Sequence, residues 1–162
     1  MKKPFFWEKA KKELARKDKK LARIITNYPN DFLFSKSDPF YTLARSIVGQ
    51  QISVKAAQAV WDRFEKKINK VTPKNTFTMH FNTLKSCGLS RQKISYLKSL
   101  SLNFIEKRIN PTKWELYSDD EIIDELIKIK GIGRWTAEMF LIFNLCRPDV
   151  FPADDLGPIK GI

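Results

Sequence analysis

Apolar residues recur along most of this chain at three- and four-residue intervals, and no stretch sustains the period-two alternation of a half-buried strand. A chain patterned in this way buries its apolar surface by packing helix against helix. The expectation is an all-α fold of six to eight helices, without internal repeats or low-complexity segments.

Residues 7–25 set Trp7, Ala10, Leu14, Leu21, Ile24 and Ile25 at helical spacing with Lys and Arg between them, which predicts one basic amphipathic helix. Its charged side is either a solvated face, the usual fate of a charge run, or a contact to phosphate. Asn27-Tyr28-Pro29-Asn30-Asp31 breaks the pattern. Ser37-Asp38-Pro39 then opens a helix over 40–49 with Phe40, Leu43, Ala44 and Ile47 on one face. Gly49-Gln50-Gln51-Ile52 interrupts it, and Ser53 caps a helix over 54–68 that carries Ala56, Ala57, Val60, Trp61 and Phe64. The paired glutamines read as surface loop unless another feature recruits them. Residues 72–75 read as linker, 78–85 as a short helix closed by Gly88, and 91–108 as a helix behind Ser90. Ile94, Leu97, Leu100, Leu102 and Ile105 are expected to face inward, with Trp114, Leu116 and Tyr117 in core or rim. Ser118 and Glu121 have the spacing of a capping box, ahead of a buried stripe of Ile122, Ile123, Leu126 and Ile129.

A length of 162 residues suits one domain. Thirty Lys and Arg against eighteen Asp and Glu leave a net charge of +12, which points to a polyanion, with DNA or RNA the default candidate. Charge alone does not separate that reading from a solvated basic surface. Cys87 and Cys146 are too few and too far apart for a disulfide framework or a zinc site, and they suit a reducing compartment. His80 is the single histidine, so histidine-based metal or triad chemistry has little to build on, and a surface or capping role is expected. The opening residues lack the apolar core of a signal peptide, and the longest apolar run, 139–143, is far too short to span a bilayer. These features imply a soluble intracellular protein without membrane partners.

Between two apolar helices lies Lys130-Gly131-Ile132-Gly133. Its glycines permit a sharp turn and a close backbone approach to another molecule. A helix beginning at Arg134 or Trp135 would aim its unpaired N–H groups out of that turn, where a DNA phosphate fits. Gly131, Ile132, Gly133 and Thr136 are therefore the backbone candidates for phosphate, with Ile132 tucked back between the helices. Downstream, a helix to about Cys146 and a loop stiffened by Pro148 and Pro152 lead to Asp154-Asp155, with Asp155 lying 22 residues after Gly133. Those acids either only cap the next helix, with Asp155 as N-cap, or set a carboxylate beside a held strand.

The run Lys130 to Ala137 with Asp154-Asp155 downstream resembles the helix-hairpin-helix DNA glycosylases that carry a Gly/Pro-rich loop and an aspartate. It is most similar to the branch of bacterial 3-methyladenine DNA glycosylase II. The resemblance covers about residues 35–162 and includes Ser46-Ile47-Val48-Gly49-Gln50-Gln51-Ile52-Ser53 and the helix start at 88–93. It implies a single all-α glycosylase domain: a basic helix and connection over 1–30, the helix-hairpin-helix over 118–146, and an aspartate loop over 147–162. By position it makes Asp155 the catalytic aspartate, Trp135 a wall of the base pocket, and Gln51 the residue that enters the gap in the duplex. It also implies a monovalent cation on the carbonyls of Ile127, Ile129 and Ile132, and no iron–sulfur cluster.

The function implied is hydrolysis of the N-glycosidic bond of alkylated purines in damaged double-stranded DNA, by a cytoplasmic, nucleoid-associated monomer. The damaged nucleotide is flipped out, and an aromatic wall favours its cationic base. Strand-cutting members of the family use a lysine amine where this chain has Trp135, so the resemblance implies a monofunctional enzyme that leaves an abasic site. Met139 stands where related enzymes place a second pocket aromatic; methionine still packs and is polarizable, but the resemblance then does not fix the range of bases accepted. Relatives continue past the position of Ile162 through helices that close the cleft. The chain therefore reads as truncated, with weak or no turnover expected of these residues alone. A non-catalytic helix-hairpin-helix module, needing neither the acid nor the glutamine, and a sister glycosylase for mismatched or oxidised bases remain the alternatives.

Overall fold

The computed structural model describes residues 3–35, 38–153 and 155, and among them every regular element is helical. Nine α-helices run in order: α1 (Trp7–Lys17), α2 (Lys19–Asn27), α3 (Pro39–Gly49), α4 (Val54–Ile68), α5 (Pro73–Thr78), α6 (Phe81–Ser86), α7 (Arg91–Ile105), α8 (Asp119–Ile127) and α9 (Arg134–Phe143). A 3-10 turn, Pro111–Leu116, precedes α8.

Nine exceeds the expected six to eight because two predicted segments divide. The basic helix breaks at Asp18, whose carboxylate accepts from the N–H groups of Lys20 and Leu21 and starts α2 afresh. The supposed linker at 72–75 is the start of α5: Thr72 caps it, Pro73 sits in its first turn, and Lys98 of α7 donates to the carbonyls of Phe77 and Met79 at its end. That cation at a helix C-terminus stops α5 and lets α6 begin beyond the exposed His80. Two other helices end early. The helix behind Ser90 stops at Ile105, ahead of Lys107 at φ +54°, and α9 stops at Phe143, ahead of Cys146 at φ +53°. Leu116, expected in core or rim, is exposed, as is Ile105.

The core forms around α7, which packs against α3, α5 and α6 and buries Ile94, Leu97 and Leu100. Trp61, Phe64, Trp114, Leu126 and Leu141 fill the remainder. Full burial of such side chains contributes about 1.5–3 kcal/mol each, so this core outweighs any single polar contact described below. Tyr41 stacks edge-on to Trp61 and donates its hydroxyl proton to Glu65 at 2.8 Å, joining α3 to α4. The capping box of Ser118 and Glu121 forms as its spacing predicts, and the bonds donated by the Ser118 backbone N–H and then its hydroxyl hold the Glu121 carboxyl below the usual carboxylate range. α1 and α2 pack on each other and bury none of their side chains. No helix among the described residues is long and apolar enough to cross a membrane.

Candidate DNA-binding and catalytic site

Helices α8 and α9 meet at the turn 128–133, where Ile129 and Ile132 are both buried and the Ile132 N–H donates to the Ile129 carbonyl at 3.0 Å. Arg134 ties the two arms from outside, to Glu138 at 3.0 Å and Asp120 at 3.7 Å. The glycines of the turn have different jobs. Gly131 adopts φ +92°, and a Cβ there would lie 2.2 Å from the Tyr96 ring of α7. Gly133 has an ordinary φ of −95° and nothing within 4 Å of a Cβ position. The turn itself therefore requires Gly131, whereas Gly133 keeps the mouth of α9 open.

That mouth is available to an acceptor. The first intrahelical bond of α9 runs from Ala137 N–H to the Gly133 carbonyl, and no side chain caps Gly133. The N–H groups up to Thr136 belong to the first turn, which carries the positive end of the helix dipole. The Thr136 side chain is buried, so only its backbone could serve a phosphate.

Asp155 comes back to this end of α9. Trp135 donates its indole N–H to Asp155 Oδ2 at 2.6 Å, and the Asp155 N–H closes a turn on the Pro152 carbonyl. The return path is anchored well away from the acid. Asn144, buried just after α9, donates to Thr42 Oγ1 at 2.9 Å. Arg147 donates to the carbonyls of Trp114 and Tyr117 at 2.6 and 2.9 Å and pairs with Asp119 at 3.3 Å. Asp154, and the helix that Asp155 was expected to cap, lie outside the described residues.

Trp135 is 44% exposed and forms one wall of a cavity of about 470 Å³ between α3 and α9, shared with Ser46, Gly49, Gln50, Gln51 and Thr136. Met139 lies one helical turn on, in a neighbouring apolar cavity that shares Ser46 and Thr136. Trp135 and Gln51 thus line one space, while Met139 lines the neighbouring one.

Gln51 is exposed with φ +57°, a left-handed backbone that costs a non-glycine residue on the order of 1–2 kcal/mol. Its neighbour Gln50 donates from Nε2 to the Gly131 carbonyl at 2.8 Å, and Lys93 donates to the Val48 carbonyl at 2.7 Å. Burial lowers the Lys93 ammonium from the usual lysine value. Gln50 and Tyr96 are the residues that sequence reasoning passed over. The pair of glutamines gave a weak signal, and Tyr96 gave none, because its contact with Gly131 exists only once α7 has packed. Among the described residues no group of three or more His, Cys, Asp or Glu could hold a metal ion.

The profile of the "HhH-GPD superfamily base excision DNA repair protein" matches residues 44–162. The chain belongs to the HhH-GPD superfamily. Over 148 residues it is 43% identical to the DNA-3-methyladenine glycosylase 1 of Schizosaccharomyces pombe, covering 88% of this chain and 64% of that protein. Over 148 residues it is 36% identical to the DNA-3-methyladenine glycosylase of Saccharomyces cerevisiae, covering 84% of this chain and 48% of the relative. The solved structure of the S. pombe 3-methyladenine DNA glycosylase in complex with abasic DNA superimposes with a TM-score of 0.79 at 39% identity, covering 91% of this chain and 75% of that one. A DNA-3-methyladenine glycosidase from Bacillus halodurans superimposes with a TM-score of 0.77 at 36% identity, covering 81% of this chain and 61% of that one. The chain therefore spans about half to two-thirds of the two yeast proteins. The HhH-GPD assignment agrees with the expected all-α fold and with the hairpin at 128–133.

Proposed function

We propose that this HhH-GPD chain is a monofunctional DNA glycosylase that removes alkylated purines, of the 3-methyladenine and 7-methylguanine type, from double-stranded DNA. The single observation that carries the reading is the 2.6 Å contact between Trp135 and Asp155. It sets a carboxylate at the edge of an aromatic wall, beside the N-terminus of α9. The DNA-3-methyladenine glycosylases of the two yeasts, similar to this chain over most of its length, support the same substrate class.

In this reading Gly131, Ile132, Gly133 and Thr136 hold a strand through backbone N–H groups, and Gln51 enters the space left by the flipped nucleotide. The alkylated base is cationic, so the face of Trp135 attracts it, with Met139 packing behind. Cleavage of the C1′–N bond sends the electron pair to the base, which leaves neutral, and the positive charge passes to the sugar. Asp155 stabilises that charge and orients the water that completes hydrolysis. The carbonyls of Ile127, Ile129 and Ile132 are neutral hard donors of a kind suited to a monovalent cation at the turn, where they would steady the hairpin. The protein would act as a cytoplasmic, nucleoid-associated monomer with all its helices in one domain.

An indole has no amine with which to form a Schiff base, and this sets the reaction type. Protein in excess over a methylated duplex should release the modified base and leave strands that break only after alkali. Borohydride should trap no covalent complex. Strand breaks without alkali would overturn the monofunctional assignment. Lack of base release, together with equal affinity for abasic and intact duplex, would favour a module that only grips the backbone.

A further inference from the structure

Gln51 is the residue assigned to the duplex gap, yet its own contacts do not explain its left-handed backbone at φ +57°. A non-glycine residue keeps such a conformation only where its surroundings over-determine it. Here the surroundings come from elsewhere in the chain. Lys93 holds the Val48 carbonyl at 2.7 Å on one flank, and Ser53 caps α4 on the other. Between them Gln50 reaches to the Gly131 carbonyl at 2.8 Å, across 81 residues of sequence. Gly131 in turn rests against Tyr96, whose hydroxyl accepts from Gln92 at 2.5 Å. Gln50, Gln51, Lys93, Tyr96 and Gly131 border one polar cavity of about 400 Å³.

We propose that Gln50 is a positioning residue whose amide couples the phosphate-binding hairpin to the loop carrying Gln51. Gripping the backbone and entering the duplex then occur in one fixed register. The inference rests on the reading of Gln51 as the residue that fills the gap. The chemistry is specific to glutamine. A glutamate would set oxygen against the Gly131 carbonyl, and an asparagine falls one methylene short.

The test compares binding to a duplex containing a tetrahydrofuran abasic analogue with binding to the same duplex intact. A 2-aminopurine opposite the abasic position reports insertion. Gln50→Leu keeps the bulk and removes the bond. It should keep its helical circular dichroism and melt within about 3 °C of the parent, because the bond is part-exposed and single. Intact-duplex affinity should change less than about twofold, while the preference for abasic DNA and the 2-aminopurine signal fall about tenfold. Gln51→Ala should lose the same preference, and the double variant should lose no more than either single one.

A preserved abasic preference in Gln50→Leu overturns the proposal, and so do losses that multiply in the double variant. A matched loss of melting temperature and intact-duplex affinity would show a purely structural role and overturn it as well. Gln50→Asn, which keeps the polarity, provides the same comparison if the leucine variant does not fold. Should Gln51→Ala leave the preference intact, the gap-filling assignment fails first and takes this inference with it. That outcome is distinct from failure at Gln50 alone.

Discussion

Under the proposed function, Asp155→Asn is expected to lower the rate of base release by about 10²–10³, the scale of losing one preorganised charge-stabilising group. The substitution is nearly isosteric, and its amide oxygen can still accept the Trp135 indole N–H that the carboxylate accepts at 2.6 Å. The fold and the hairpin should therefore be untouched, and affinity for abasic duplex should stay within a few-fold. Single-turnover release from a methylated duplex, run beside an abasic-binding titration, separates the two quantities. If rate and binding fall together, Asp155 positions the loop and does not stabilise the sugar cation. If neither falls, the acid is a cap.

The next largest effect should come from the turn, and it should separate two glycines that look alike in sequence. Gly131→Ala must adopt φ +92° and displace a tyrosine ring that a Cβ would meet at 2.2 Å. A left-handed residue costs about 1–2 kcal/mol and overpacking about 1–3 kcal/mol, so a loss on the order of 3 kcal/mol is expected, with DNA affinity falling as the hairpin shifts. Gly133→Ala meets nothing within 4 Å and keeps an ordinary φ. It should cost about 1 kcal/mol or less, the difference between glycine and alanine at an N-cap. Its added methyl group nevertheless stands beside the N–H groups proposed to hold phosphate, so in that reading affinity for duplex should drop about tenfold or more. Thermal melting with a binding titration on both variants reads this out. A Gly133→Ala protein that binds normally would place the phosphate elsewhere.

The contrast between the glycines also shows where sequence reasoning stops. Helical period, caps and the capping box are local, and Ser53, Ser90 and Ser118 each start a helix where their spacing predicts. The hairpin between two apolar runs is local too, and so was recognisable. The boundary between α5 and α6 departs from expectation because a distant group decides it. Lys98 reaches over from α7 to close α5, and no pattern near residues 72–78 announces it. The break at Asp18 was the exception: an Asp among lysines is a legible cap, hidden here by apolar spacing that continues on both sides of it. Within the site, Trp135 and Asp155 could be paired only through family resemblance, because the loop joining them is set by Asn144 and Arg147 binding to other helices. The role of Gln50 depends on a partner 81 residues away, and periodicity cannot report that.

The way Asn144 and Arg147 anchor the return loop has a consequence for the order in which the site assembles. The α8–α9 hairpin joins neighbours in sequence and can close early, since short loops cost little entropy to form. The approach of Asp155 to Trp135 depends instead on Asn144 finding Thr42, 102 residues away, and Ser35, 109 residues away. Contacts of such long range form slowly. The α8–α9 turn can therefore close before Asp155 reaches Trp135. Under the proposed function, such a folding stage would present the turn to phosphate without the aspartate beside it.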